Sequence, residues 1–134
     1  MKYLLDTHTF IWTVLDTSML SDRVMEIIEN PRNEIYVSSL SFWEISIKTR
    51  LRKMDFRYID IRHLPNIARQ YNFKILESSP YDMVCEGELP YFKEHKDPFD
   101  RMLISLAIRH NLILLSNDKQ FDRYIPSGRQ LLWD

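Results

Sequence analysis

Short apolar runs alternate along this chain with longer stretches of helical spacing, and no other feature limits the possible folds as much. Residues Lys2–Leu5, which lead directly into Asp6-Thr7, are too few for a helix and read as a strand buried on both faces. Phe10, Ile11, Val14 and Leu15 then recur at helical spacing. A second helix, capped by Ser18 or Ser21, carries Val24, Ile27 and Ile28 and stops before Pro31. The β-branched and aromatic run Glu34–Ser38 predicts strand two. The next helix, capped by Ser39 or Ser41, has Leu40, Trp43, Ile47 and Leu51 as its expected apolar face. A helix over 61–71, a strand over 73–76, a short helix opened by Pro80 and closed by Pro90, and strands over 112–115 and 130–133 complete the order. Strands alternating with helices require right-handed crossovers. The expected fold is therefore α/β, with a mostly parallel sheet of four to five strands covered on both sides.

Before the strand at 112–115, Asp97-Pro98 predicts a helix start, with the acid as N-cap and proline at the first helical position, where its missing N–H costs nothing. Phe99, Met102, Leu103, Leu106, Ala107 and Ile108 form the buried face of that helix. Asp97 is thereby accounted for, whereas Asp100, in the first turn beside the core, is not.

A chain of 134 residues, 45% hydrophobic and 28% charged with only 2 Gly, suits one helix-rich domain spanning 1–134. Its net charge of −1 gives no global attraction to nucleic acid or membrane, so an anionic partner must be held locally or through metal ions. The lone Cys85 excludes an internal disulfide and a multi-cysteine zinc site, and a reducing cytoplasm is the expected setting. Asp6 and His8 break the first apolar run, which does not suit a signal peptide, and no apolar segment is long enough to span a bilayer.

In a parallel sheet the functional crevice lies beyond the carboxyl ends of the strands, where strand order reverses. Asp6 follows strand one, Glu44 lies early on the helix after strand two, Asp100 starts its helix and Asp118 follows strand four, so all four can face that crevice. Carboxylates gathered without counter-charge repel one another, and a divalent cation resolves the conflict. Oxygen ligands without cysteine or an HExxH pair favour Mg²⁺ or Mn²⁺ over Zn²⁺. A water acidified by such an ion is suited to attacking a phosphodiester.

Each residue also has an ordinary explanation. A single Asp at a strand end or helix start is commonly a cap. Glu44 can pair with Lys48 one turn on. Asp118 can cap the turn containing Phe121, and Asp122 can simply decorate it. Trp43 is expected in the core rather than as a base-stacking platform. His8, His63, His95 and His110 lack ligand spacing and read as surface or loop residues, with His8 notable only for its place beside Asp6. The basic run Lys48, Arg50, Arg52 and Lys53 is either a solvated face or a phosphate-steering patch. Two other classes stay open: a phosphatase or phospho-acceptor with Asp6 as nucleophile, and a non-catalytic protein-binding module. His8 stands where a haloacid-dehalogenase-type Asp-x-Asp motif needs its second acid, which argues against the former.

Four segments, LLDTHTFIW (4–12), VSSLSFWEISIK (37–48), LPYFKEHKDPFDRMLISLA (89–107) and LLSNDKQFDRY (114–124), resemble in order the PIN domain, specifically VapC-like toxin ribonucleases. The resemblance implies a three-layer α/β/α sandwich and a Mg²⁺- or Mn²⁺-dependent endoribonuclease with Asp6, Glu44, Asp100 and Asp118 as its acidic metal-binding quartet. Ser116 falls where the family places a Thr or Ser that orients the site. Arg101 or the Lys48 patch is expected to contact phosphate, and Asp122 is a supporting candidate. A homodimer is also implied, as is an antitoxin whose tail blocks the groove, any DNA contact being made through the antitoxin complex. His8 replaces a common Asn, and Ser105-Leu106 a commoner Ala-Gln; neither departure removes a quartet acid.

Overall fold

The computed structural model describes residues 1–127 and 130–132, with side chains described through residue 124; the expected extension of the last strand to Trp133 lies outside them. Strands β1 (Lys2–Leu5), β2 (Glu34–Ser38), β3 (Lys74–Leu76), β4 (Ile113–Leu115) and β5 (Gln130–Leu132) form one sheet in the order β3-β2-β1-β4-β5. Every pairing is parallel, with Leu5 opposite both Val37 and Leu115. Helices α1 (Thr7–Leu15), α2 (Asp22–Glu29), α3 (Ser39–Arg50), α4 (Leu64–Gln70), α5 (Pro80–Cys85) and α6 (Pro98–Arg109) supply the crossovers. The segment expected as one helix over 61–71 divides into a 3₁₀ turn, Ile61–His63, and α4.

Alternation along the strands splits the core into two layers, because successive side chains leave a strand on opposite faces. Tyr3, Leu5, Ile35, Val37 and Leu115 pack with Phe10, Val24, Leu64 and Ala68. Leu4 and Leu114 turn the other way, onto Leu103, Ile104, Leu106 and Ala107 of α6. Helices thus cover both faces, which makes the fold a three-layer α/β/α sandwich.

Capping follows the sequence closely. Asp6 accepts the Thr9 N–H (2.7 Å), Ser21 the Val24 N–H (3.2 Å) and Asp97 the Asp100 N–H (3.0 Å). Ser38 caps α3 in place of the expected Ser39 or Ser41, its hydroxyl accepting from Leu40 N–H. Three helices end on a non-glycine residue in the left-handed region: Arg52 after α3, Asn72 after α4 and Asn111 after α6. In each case the next N–H turns back to a carbonyl in the last helical turn: Lys53 to Lys48, Phe73 to Ala68 and Leu112 to Ala107.

The expected apolar face of α3 needs correction. Its buried positions are Ser41, Glu44 and Ile45, while Trp43 is 58% exposed and Leu51 54%. The inward stripe of this helix carries polar residues because it borders a crevice. Hydrophobic periodicity therefore points to the wrong side.

Candidate active site

From β1 the chain steps outward to β2 and β3, then returns across β1 to β4, so strand order reverses between β1 and β4. That is the position at which an open parallel sheet leaves a crevice beyond its carboxyl ends. The two strand ends are tied together there, since Asp6 N–H and Thr9 Oγ1–H both donate to the Leu115 carbonyl at 3.1 Å. A crevice of about 260 Å³ opens above them, and Asp6, Glu44, Asp100 and Asp118 all line it, together with Asp97 and Lys48. A larger hollow of about 750 Å³ lies against the opposite end of β2, walled by apolar residues such as Met25, Ile28 and Phe73 and lined by none of the four predicted acids.

Each acid is placed by a different element. Asp6 is buried, and burial pushes its carboxyl above the usual range against the lowering effect of hydrogen bonds from Ser116 and Thr9. Ser116, buried at the end of β4, also accepts the Asp118 N–H at 3.1 Å, so one hydroxyl links two of the acids. Glu44 has both oxygens engaged: Thr7 Oγ1 donates to Oε1 at 2.6 Å and Lys48 pairs with Oε2. Thr7, whose hydroxyl also lies 2.9 Å from that of Ser41, is a site residue that the sequence reading passed over. Its only signal there was its position directly after a strand-end acid.

Asp100 is perturbed in the same direction as Asp6. Burial, followed by the charges of Asp97, Glu44, Asp118 and Asp6, raises its carboxyl to about 8. Lys48 is the lysine at this crevice. Burial alone would lower its amine, but Glu44, Asp97 and Asp100 hold it above the ordinary lysine range. Asp97 does cap α6, yet it also lines the crevice, so its two functions overlap more than the sequence suggested.

Two histidine and aromatic expectations are overturned. His95 is not a surface residue: it is 6% exposed, with Nδ1 2.8 Å from the Tyr124 hydroxyl and Nε2 3.2 Å from Asp100 Oδ2. Trp43 is not in the core; it stands out beside Glu44 and packs edge-on against Phe99, ring centroids 5.4 Å apart. His8, by contrast, is exposed as expected.

The supporting candidates separate. Lys48 and Ser116 serve the crevice directly. Arg101 does not line it: its guanidinium pairs with Glu86 and donates to the Pro90 carbonyl (2.8 Å), the Leu89 carbonyl (3.4 Å) and the Tyr124 hydroxyl (3.2 Å). Of the two candidates for a phosphate contact, Lys48 lines the crevice and Arg101 does not. Asp122 is exposed and lies outside the crevice lining.

The donor set suits a hard cation. The crevice offers carboxylate oxygens with one lysine among them, and Asp100 is raised first by burial and then by the charges of its acidic neighbours. Among the described residues no three acidic, histidine or cysteine groups converge closely enough to wrap a bare ion. A cation that keeps several waters and takes one or two carboxylates, as Mg²⁺ does, fits such a set.

A family model for the PIN domain matches residues 3–125. The chain belongs to the PIN-domain family. PIN domains are generally nucleases and generally use divalent metal ions. No curated protein matches the chain significantly. Among solved structures, this PIN domain is similar to a chain of VapBC2 from Rickettsia felis, solved bound to a DNA fragment from their promoter. The TM-score is 0.70 at 22% identity, over 100% of both chains. It is also similar to DNA-bound VapBC from Salmonella typhimurium (TM-score 0.67, 18% identity, 98% of this chain and 97% of that one). VapBC-1 from nontypeable Haemophilus influenzae gives 0.65 and 17%, with the same coverage. At these identities the likeness establishes the fold.

Proposed function

We propose that this PIN domain is an endoribonuclease dependent on Mg²⁺ or Mn²⁺ and the toxin of a toxin-antitoxin pair. The observation that carries the proposal is that Asp6 and Glu44, both buried, and Asp100 and Asp118, both half-buried, line one crevice with too little positive charge to balance them. Asp6 and Asp100 would hold the cation, directly or through water, with Asp118 completing the site. Glu44, already bonded by Thr7 and Lys48, tunes it. When bound, such an ion neutralises phosphate charge and acidifies a water for in-line attack on the phosphodiester. Ser116 and Thr9 orient Asp6, and their hydrogen bonds favour its ionised form against the opposing effect of burial. Lys48, at the crevice wall, meets the phosphate of the incoming strand.

The similarity to VapBC complexes, two of them solved with DNA, supports an antitoxin partner. An antitoxin tail that covers the acidic groove, DNA contact only through that complex, and a homodimer in a reducing cytoplasm belong to the same proposal. Among the described residues no helix is long and apolar enough to cross a membrane.

Purified Asp6→Asn and Asp100→Asn variants should remain folded by circular dichroism and lose Mg²⁺-dependent RNA cleavage by at least about 100-fold, an effect of several kcal/mol on the barrier. Wild-type cleavage rates in either clean preparation would sink the assignment. A short adjacent reading frame for a small DNA-binding protein with a disordered tail is the expected genomic companion, and its absence would count against the toxin role while leaving the chemistry standing.

A further inference from the structure

Beneath the crevice, a line of buried polar contacts runs from the far side of α6 to Asp100. Glu86 pairs with Arg101, whose Nη1 lies 3.2 Å from the Tyr124 hydroxyl; that hydroxyl is 2.8 Å from His95 Nδ1, and His95 Nε2 is 3.2 Å from Asp100 Oδ2. Tyr124 is fully buried and His95 nearly so. Their rings pack at 5.5 Å, Phe92 and Phe121 closing around them.

The direction of donation along this line follows from its closed end. A guanidinium has donors and no acceptor, so the Tyr124 oxygen must accept from Arg101. The phenol proton then needs an acceptor, and among the described residues the one within reach is His95 Nδ1. With Nδ1 accepting, the neutral ring carries its proton on Nε2 and donates it to Asp100. The reverse order, with a protonated Asp100 donating to Nε2 and Nδ1–H to Tyr124, would leave the buried phenol proton without a partner, at a cost of roughly 1–3 kcal/mol. An imidazolium meets the same objection.

Building on the nuclease reading above, we infer that His95 is a positioning residue for Asp100, its tautomer fixed by Arg101 through Tyr124. It holds Oδ2 of that carboxylate and so fixes the orientation in which Asp100 would meet a cation. This gives Arg101, turned away from the crevice, a function at the site through two intermediaries. It also accounts for a histidine buried against a carboxylate whose own surroundings are otherwise acidic.

The experiment uses the full chain. The long-range ¹H–¹⁵N spectrum of the wild-type imidazoles should show His95 as the Nε2–H tautomer; an Nδ1–H or doubly protonated ring at neutral pH would overturn the relay. Tyr124→Phe keeps the packed ring and removes only the hydroxyl, so it should unlock the tautomer while the protein stays folded by circular dichroism. Mn²⁺ titrated calorimetrically should then bind about 10-fold more weakly to Tyr124→Phe and His95→Gln than to wild type, the usual effect of losing a group that orients a metal ligand. Unchanged Mn²⁺ affinity in both folded variants would refute the positioning role alone. Failure of the wild type to bind Mn²⁺ would instead overturn the metal reading, and the inference with it.

Discussion

Asp100 shows at a single position how the acidic crevice opposes stability. Its ordinary carboxyl value is 3.8 and burial among acids lifts it to about 8 in the fold. Between those values the folded state binds the extra proton, so stability falls as pH rises from roughly 4 to 8. In a metal-free preparation, Asp100→Asn should therefore raise the unfolding free energy, by a few kcal/mol at pH 8 and by almost nothing below pH 4. Denaturant melts in chelator at the two pH values would measure this. Adding Mn²⁺ at about 100 times its Kd should stabilise the wild type by roughly 2.7 kcal/mol and the variant far less. The sequence assigned the cap to Asp97, because the proline after it marks the helix start, and the crevice to Asp100; Asp97 does cap α6, but both acids line the crevice. The sequence could not show that Asp97 also reaches the crevice, or that His95 is buried, since both depend on how the loop before α6 folds back onto Tyr124.

At the scale of the element, α3 is the instructive case. Its Leu40, Trp43, Ile47 and Leu51 obey helical spacing, yet Ser41, Glu44 and Ile45 are the residues turned inward. A helix bordering an active site buries polar groups, and a reading based on hydrophobicity then misplaces its face by about one residue. The acid at position 44 was legible and the orientation of its helix was not. The end of α3 allows a separate test. Arg52 sits at φ 58, a conformation that costs a residue with a Cβ roughly 1–2 kcal/mol. Arg52→Gly should recover about 1 kcal/mol by urea denaturation, while Asn111→Ala, at φ 53 after α6, should lose a similar amount.

For the whole molecule, alternation of strand and helix gave the three layers, because it depends only on local periodicity. Strand order was not legible: nothing local records that the chain goes outward to β3 and then back across β1. The second core layer, under α6, rests on few strand residues, so Leu114→Ala should cost about 2–5 kcal/mol in unfolding free energy, measured by denaturant titration. The return across β1 also has a consequence in time. Asp6 is synthesised well before its partners: the hydrogen bond fixing its strand end joins Thr9 to Leu115, residues 106 apart, and Asp118 lies beyond even that. Closing a loop of that length comes late in folding. A chain still emerging from the ribosome carries Asp6 without its partners, so the acidic crevice can be assembled only once the chain has been made past Asp118.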